Sequence, residues 1–319
     1  MKAKLFLTFF LGSIFLIFTQ TSCETEIDLN LPAPEPKIVV EGYIEQDRQP
    51  YVLLTRNAPY FGEIDLNDPE SYLVRGATVI VSNNGQEEIL PEICLFLLDL
   101  PVDLQQQILN EIGIPLSAAQ EVPNICFYTS LSPQIVGQIG ETYELRVITD
   151  EEELTARTKI PDFLTLDTIW YQRHEDPKLD SLFLMFGKYT DPDTIGNYIR
   201  YSSKRNREPF YGLWVIDDRL INGKTVTIPL RRGQSRFDEI DFTDFGYFTA
   251  WDTVVVRWSS IDKAHFDFWN TMEFEMAPVG PFATPTIIKS NIEGGLGIWG
   301  GAAVFYDTIV INPELAKEP

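Results

Sequence analysis

Histidine is nearly missing from this chain, with two in 319 residues, His174 and His265. Nucleophile patterns are missing too: there is no G-x-S-x-G elbow, no H-E-x-x-H zinc helix and no reactive-cysteine context. A chain so poor in histidine, with no recognisable constellation, is not expected to be an enzyme, and no cofactor or metal is expected. Basic residues are scarce, 25 Lys and Arg against 47 Asp and Glu, for a formal net charge of −22. That excess repels phosphate backbones and anionic bilayers alike, which argues against nucleic acid as a partner. Cysteine occurs three times, at positions 23, 94 and 126.

What is present begins at the N-terminus. Lys2 and Lys4 precede LFLTFFLGSIFLIF, Leu5 to Phe18, and small polar residues follow. A basic end, a short apolar run and a small-residue exit make a secretory signal peptide over residues 1–22, too short to span a bilayer comfortably. The sequence TQTSC then resembles a bacterial lipoprotein cleavage box, in which the cysteine, here Cys23, is acylated and becomes the new N-terminus. Gln20 departs from the apolar residue usual three places before that cysteine, and an ordinary signal peptide with Cys23 an incidental thiol is the alternative. Each buried methylene contributes about 0.8 kcal/mol, so more than one lipid chain holds a protein stably on a membrane.

After Cys23, ETEIDLNLPAPEP carries four acidic residues and three prolines, a tether over 23–36 with little to pack. An acidic stretch in this place also resembles the signal that sends some Bacteroidota lipoproteins to the outer face of the outer membrane. With Cys23 lipidated, Cys94 and Cys126 remain as an even pair in an exported chain, which suggests one disulfide. Closing the loop between them contributes about 3.7 kcal/mol through lost chain entropy. Two buried free thiols are the alternative.

From Lys37 the pattern has period two. KIVVEGYI, YVLLTRN, ATVIVS, TYELRVIT and ELTARTKI are short, rich in Val, Ile, Tyr and Thr, and separated by turn formers. In TYELRVIT, Tyr143, Leu145 and Val147 share one face and Glu144 and Arg146 the other, as in a half-buried antiparallel strand. NNG at 83–85 marks a hairpin turn with positive φ. Residues 37–162 therefore read as a sandwich of the immunoglobulin or fibronectin kind. An insertion at 91–125 interrupts it, where DLPVDLQQQILNEIGIP has a cap, an apolar spacing and a stop for a short helix. Residues 163–312 read as a larger antiparallel β-domain, with Asn222 and Gly223 at a turn. SSIDKAHFDFWNTMEFEM supplies its one packed helix, with Ile261, Ala264, Phe268 and Met272 inward behind a Ser259 or Ser260 cap. The tail 313–319 is expected to fray.

The lipoprotein start, KIVVEGYI soon after it, YVLLTR, GETYELRV, the helix segment, and above all SNIEGGLGIWGG before YDTIVI together resemble an uncharacterised Bacteroidota lipoprotein family catalogued as domain of unknown function 4249. The resemblance runs over roughly Cys23 to Ile311. It implies no activity that transfers to single residues. It does imply an outer-membrane location, on the periplasmic or cell-surface face, beside a TonB-dependent receptor, since members are commonly encoded next to one.

Individual residues narrow the choices further. His265 lies on the buried stripe of the helix and reads as a packed, satisfied side chain. His174 opens HEDP, whose adjacent Glu175 and Asp176 point to opposite faces on a strand. The acidic runs NDPE at 67–70, DPDT at 191–194 and FDEIDFTDF at 237–245 lack the spacing of a calcium loop. GGLG precedes a strand rather than a helix, so Gly294, Gly295 and Gly297 with Trp299 read as a structural corner or as a partner surface. Most tryptophans fall in apolar segments, and Trp251 is the one to test for exposure. The function expected is that of a lipid-anchored binding or accessory protein for uptake. A surface adhesin or carbohydrate-binding lipoprotein is the alternative, and a glycoside hydrolase with two facing carboxylates comes behind both.

Overall fold

The computed structural model describes residues 36–57, 69–96, 124–234, 243–276 and 287–318. The signal peptide, Cys23, nearly all of the tether and the helix read at 99–115 lie outside the described residues. Strands come first in chain order: β1 (Ile38–Glu45), β2 (Tyr51–Arg56), β3 (Thr78–Asn83), β4 (Gln86–Leu90), β5 (Glu92–Phe96), β6 (Asn124–Thr129), β7 (Thr142–Ile148) and β8 (Glu153–Lys159). Next are β9 (Thr168–Arg173), β10 (Leu182–Thr190), β11 (Tyr198–Arg205), β12 (Tyr211–Asp217), β13 (Thr225–Leu230), β14 (Phe248–Thr249) and β15 (Thr253–Ile261). The described α-helix, α1 (Lys263–Met276), precedes β16 (Ile292–Glu293) and β17 (Leu296–Val310).

The protein is mainly β, and alternation dictates it locally. In β7, Tyr143, Leu145 and Val147 are buried while Glu144 and Arg146 are exposed. Between β3 and β4, Asn84 and Gly85 take φ of 49° and 81°, the pair of positive values that a two-residue hairpin turn requires.

The strands make an eight-stranded sheet in the order β12-β11-β15-β17-β1-β2-β6-β5, a five-stranded sheet β16-β8-β7-β3-β4, and a smaller sheet β13-β10-β14 with β9 on β10. Among the named strands every described pair is antiparallel except β1 with β17, which is parallel with Val40 opposite Gly297. Two cores follow. Ile38, Val40, Val52 and Leu54 of the large sheet meet Val79, Tyr143, Leu145 and Val147 of the five-stranded sheet. Ile199, Tyr201, Val256 and Trp258 of the large sheet meet Phe183, Met185, Tyr189 and Leu230 of the smaller one. The 15-residue β17 serves both, with Trp299 in the first core and Phe305 and Ile309 at the second. Because β16 pairs with β8 and β17 with β1, residues near the C-terminus complete the layers begun by the N-terminal strands.

The flanks of the 91–125 insertion are β5 and β6, paired with each other, and the helix expected from SSIDKAHFDFWNTMEFEM is α1 at Lys263–Met276. Three local expectations change. Asn222 and Gly223 do lie in a turn, with Gly223 at a φ of 66°, but it joins no hairpin: β12 belongs to the large sheet and β13 to the small one, so the loop crosses between sheets. Ser259, Ser260 and Ile261 remain strand, paired with β11 and β17. Asp262 therefore caps α1, its Oδ1 accepting from His265 N at 2.8 Å. The tail does not fray through Lys317: Lys317 N donates to Tyr171 O at 3.0 Å and Arg173 Nη2 to Pro313 O at 2.5 Å. Among the described residues no helix is long and apolar enough to cross a membrane.

Candidate functional site

The face of the large sheet away from both cores carries the polar half of each alternation. On β1 these are Glu41, Tyr43 and Glu45, on β11 Arg200, on β15 Arg257 and on β17 Gly300 and Tyr306. Helix α1 lies on this face, packing Phe266 with Ile261, Ala302 and Val304 of the sheet and with Tyr198. It comes close because Gly300 has no side chain: a Cβ there would stand 2.7 Å from the His265 ring. Asp262 holds its start, since Oδ2 also accepts from Thr158 Oγ1 at 2.7 Å and Lys159 N at 3.0 Å, tying the helix to β8. Asp262→Ala is expected to cost about 2 kcal/mol, checked by urea unfolding; a loss within error of zero would show that the cap does not position α1.

Under the helix, Arg200 lies with its guanidinium 3.3 Å from the centre of the Trp269 ring. On the other side a Cβ at Gly212 would come within 2.6 Å of Nη2, so glycine there leaves the room that the arginine occupies. Burial pulls its pKa down from the ordinary range. Arg257 and Glu45 form an ion pair, to which Tyr306 Oη donates at 3.3 Å. Tyr43 lies between, its ring 5.6 Å from those of both His265 and Tyr51, and its hydroxyl donates to Glu41 Oε1 at 3.4 Å.

Electrostatics here is set by crowding. Glu41 is exposed, yet desolvation by its neighbours raises its carboxyl pKa above the usual range, outweighing Arg200. Burial, then the charge of Glu41, holds the Tyr43 phenol firmly protonated. His265 is only 3% exposed, and burial followed by the charge of Arg200 pushes its pKa down to about 3. Its Nδ1 lies 3.4 Å from Gly301 O, which makes Nδ1 the protonated nitrogen, while Nε2 is buried without a partner. The histidine is thus packed but satisfied at one nitrogen rather than both. Arg200 Nε, Arg257 Nε and Trp269 Nε1 are likewise buried without partners. Hydrogen-bond donors without partners, aromatic rings and a neutral imidazole make up a face whose chemistry can hold a ligand.

The residues singled out by sequence are placed as follows. Cys94 and Cys126 face each other across β5 and β6 and form a disulfide, with Arg75 Nη2 3.3 Å from Cys94 Sγ. Both sulfurs of the Glu92, Cys94 and Cys126 group, the one metal-type cluster among the described residues, are therefore taken. Trp299 is 0% exposed, its Nε1 donating to Tyr143 O at 3.1 Å, and Gly297 is buried. The candidate partner surface at 294–299 is thereby corrected: a ring that fills a core cannot meet a partner, and of this group only Gly294 is exposed. His174 Nδ1 accepts from Asp176 N at 3.0 Å and its ring lies against Tyr247, so HEDP closes a turn. In the 191–194 run, Asp191 Oδ1 accepts from Tyr189 Oη at 2.8 Å. Nearby Asp218 accepts from Gly196 N and Asn197 N, a loop brace made of donors. Trp251 is 65% exposed, at a φ of 69°.

A family model described as domain of unknown function (DUF4249) matches residues 24–307. The chain belongs to this family. No curated protein matches it. Membership in DUF4249 accounts for the likeness read from SNIEGGLGIWGG and its companions, and what the matched span contributes to the site is concrete. Within it fall Glu41, Tyr43, Arg200, His265 and Trp269, so these residues of the candidate site all belong to the DUF4249 domain. Sequence reading missed Arg200, Tyr43 and Trp269 as a group. The available signal was the alternation in EGYIE and NYIRYSS, which places Glu41, Tyr43 and Arg200 opposite the core residues.

Proposed function

We propose that this DUF4249 protein is a lipid-anchored outer-membrane binding protein, attached through Cys23, that serves as an accessory to a TonB-dependent transporter in nutrient uptake. The observation that carries the reading is the face around Arg200, where Arg200, Tyr43 and Trp269 are half-buried, Glu41 is exposed, and donor nitrogens of Arg200 and Trp269 have no partner. The basic, apolar and small-residue order before Cys23 supports the anchor, and the acidic body supports attachment by lipid rather than by charge. The layering of β3, β7 and β8 on β1 and β2 supports an immunoglobulin-like reading of the N-terminal half. Trp251 favours a second reading, a carbohydrate-binding or adhesive lipoprotein, because an exposed indole plane is what sugars stack on. No ring contact joins it to another aromatic among the described residues, which leaves a platform of one ring.

The test uses the native host membrane. Wild-type protein is expected in the detergent phase with acyl mass on Cys23 and a β-barrel receptor copurifying, and Cys23→Ala in the soluble fraction. A mature N-terminus without acyl chains would discard the anchor, and gently solubilised protein without a barrel would discard the transporter role.

A further inference from the structure

Arg200 is half-buried, with its Nε shut off from solvent. A buried cation is costly unless an anion or several acceptors meet it. Its neighbour Arg257 takes Glu45, but among the described residues no carboxylate pairs with Arg200, and its Nε has no acceptor. Glu41 and Glu273 act on it through their charge, and the Glu41 carboxyl is turned to Tyr43. The guanidinium is nonetheless held in one place, by the Trp269 ring on one side and the space above Gly212 on the other. A guanidinium held in this way, half-buried and with its Nε left without an acceptor, is a receptor prepared in advance for a planar anion.

We infer that the recessed face binds a ligand through a carboxylate group, with Arg200 as its anion receptor and Trp269 Nε1 as a further donor. This rests on the binding reading above and names its ligand class. A single planar negative charge suits the place better than a phosphate. One guanidinium offers two parallel N–H groups to a carboxylate, whereas Glu41, Glu273 and a net charge of −22 oppose a dianion. Tyr43, Tyr51 and Trp269 supply aromatic surface beside the charge, so the carboxylate is carried on an apolar or aromatic body.

The experiment follows the indole N–H signals of the full-length protein in detergent by NMR, with the Trp269 signal assigned through Trp269→Phe. Sodium benzoate is titrated, with benzamide as its neutral counterpart and inorganic phosphate as the dianion. Saturable movement of the Trp269 signal is expected with benzoate, little with benzamide or phosphate. Arg200→Met should weaken benzoate binding by about tenfold or more. Gly212→Ala keeps the arginine but pushes its head aside, and should also weaken binding while leaving the circular dichroism spectrum unchanged; this variant decides the matter if Arg200→Met does not fold. Equal binding of benzamide and benzoate, a preference for phosphate, or no movement of Trp269 would overturn the inference. Benzoate binding by a protein that brings no barrel with it would keep the carboxylate site and remove only the transporter role.

Discussion

Gly297→Ala is expected to lose about 3 kcal/mol or more of folding stability. Two effects add at this position. The backbone takes a φ of +103°, which L side chains rarely adopt, and a Cβ there would stand 2.0 Å from Val40 O, with Val40 C and N both at 2.9 Å. The obstacle is backbone, so no rotamer change relieves it. Val40 and Gly297 are register partners in the parallel β1–β17 pair, which joins the two halves of the large sheet. Any shift that admits the methyl group must move Ile38 and Val40 on one strand or Trp299 on the other, all in the same core. Gly76→Ala separates the two effects, because Gly76 has a φ of +69° with nothing within 4 Å of the added atom. That variant should lose only about 1–2 kcal/mol, the cost of the left-handed backbone alone. Urea unfolding followed by tryptophan fluorescence measures both, and equal losses would mean that the close approach of the strands contributes nothing.

The same pair of strands shows where sequence reading stops. Alternation in TYELRVIT and the positive-φ signal of NNG were legible because each is a property of a few consecutive residues. That Val40 lies beside Gly297, or that β12 and β13 part to different sheets, is decided by packing between segments far apart in the chain, which no local period records. Trp299 illustrates the difference: among glycines it reads equally as a corner or as a docking surface. Only the fold shows its ring set over Gly42, where a Cβ would stand 2.8 Å from it. The candidate site was half legible for the same reason. The outward position of Glu41, Tyr43 and Arg200 follows from alternation, but their closing into a recessed surface depends on α1 crossing the sheet above Gly300.

Acid should destabilise this protein through His265, and His265→Gln should remove most of that effect. The folded-state pKa of His265 is pushed down to about 3 by burial and then by the charge of Arg200, from 6.5. Between those values the unfolded chain carries a proton on this ring that the folded protein refuses, so the unfolded state binds more protons and stability rises with pH. The contribution of the neutral ring is therefore complete above pH 6.5 and is lost as pH falls toward 3. At pH 4.5 the loss attributable to it is about 2–3 kcal/mol, at 1.36 kcal/mol for each unit of pKa difference. Arg200 from β11 and Arg257 from β15 both oppose the imidazolium, and Gly301 O alone favours it. Glu41 on β1 works in the opposite direction: its pKa is raised in the fold, so its protonation gives back some stability in acid. Comparing wild type with His265→Gln at pH 7.5 and 4.5 cancels the Glu41 contribution, because the variant keeps that carboxyl. Wild type should lose about 2–3 kcal/mol more than the variant between the two pH values, and parallel losses would place His265 elsewhere than under the helix. The outcome also bears on the ligand: a ring still neutral at pH 4.5 adds no positive charge to the recessed face, which leaves Arg200 as the cation on which a bound carboxylate depends.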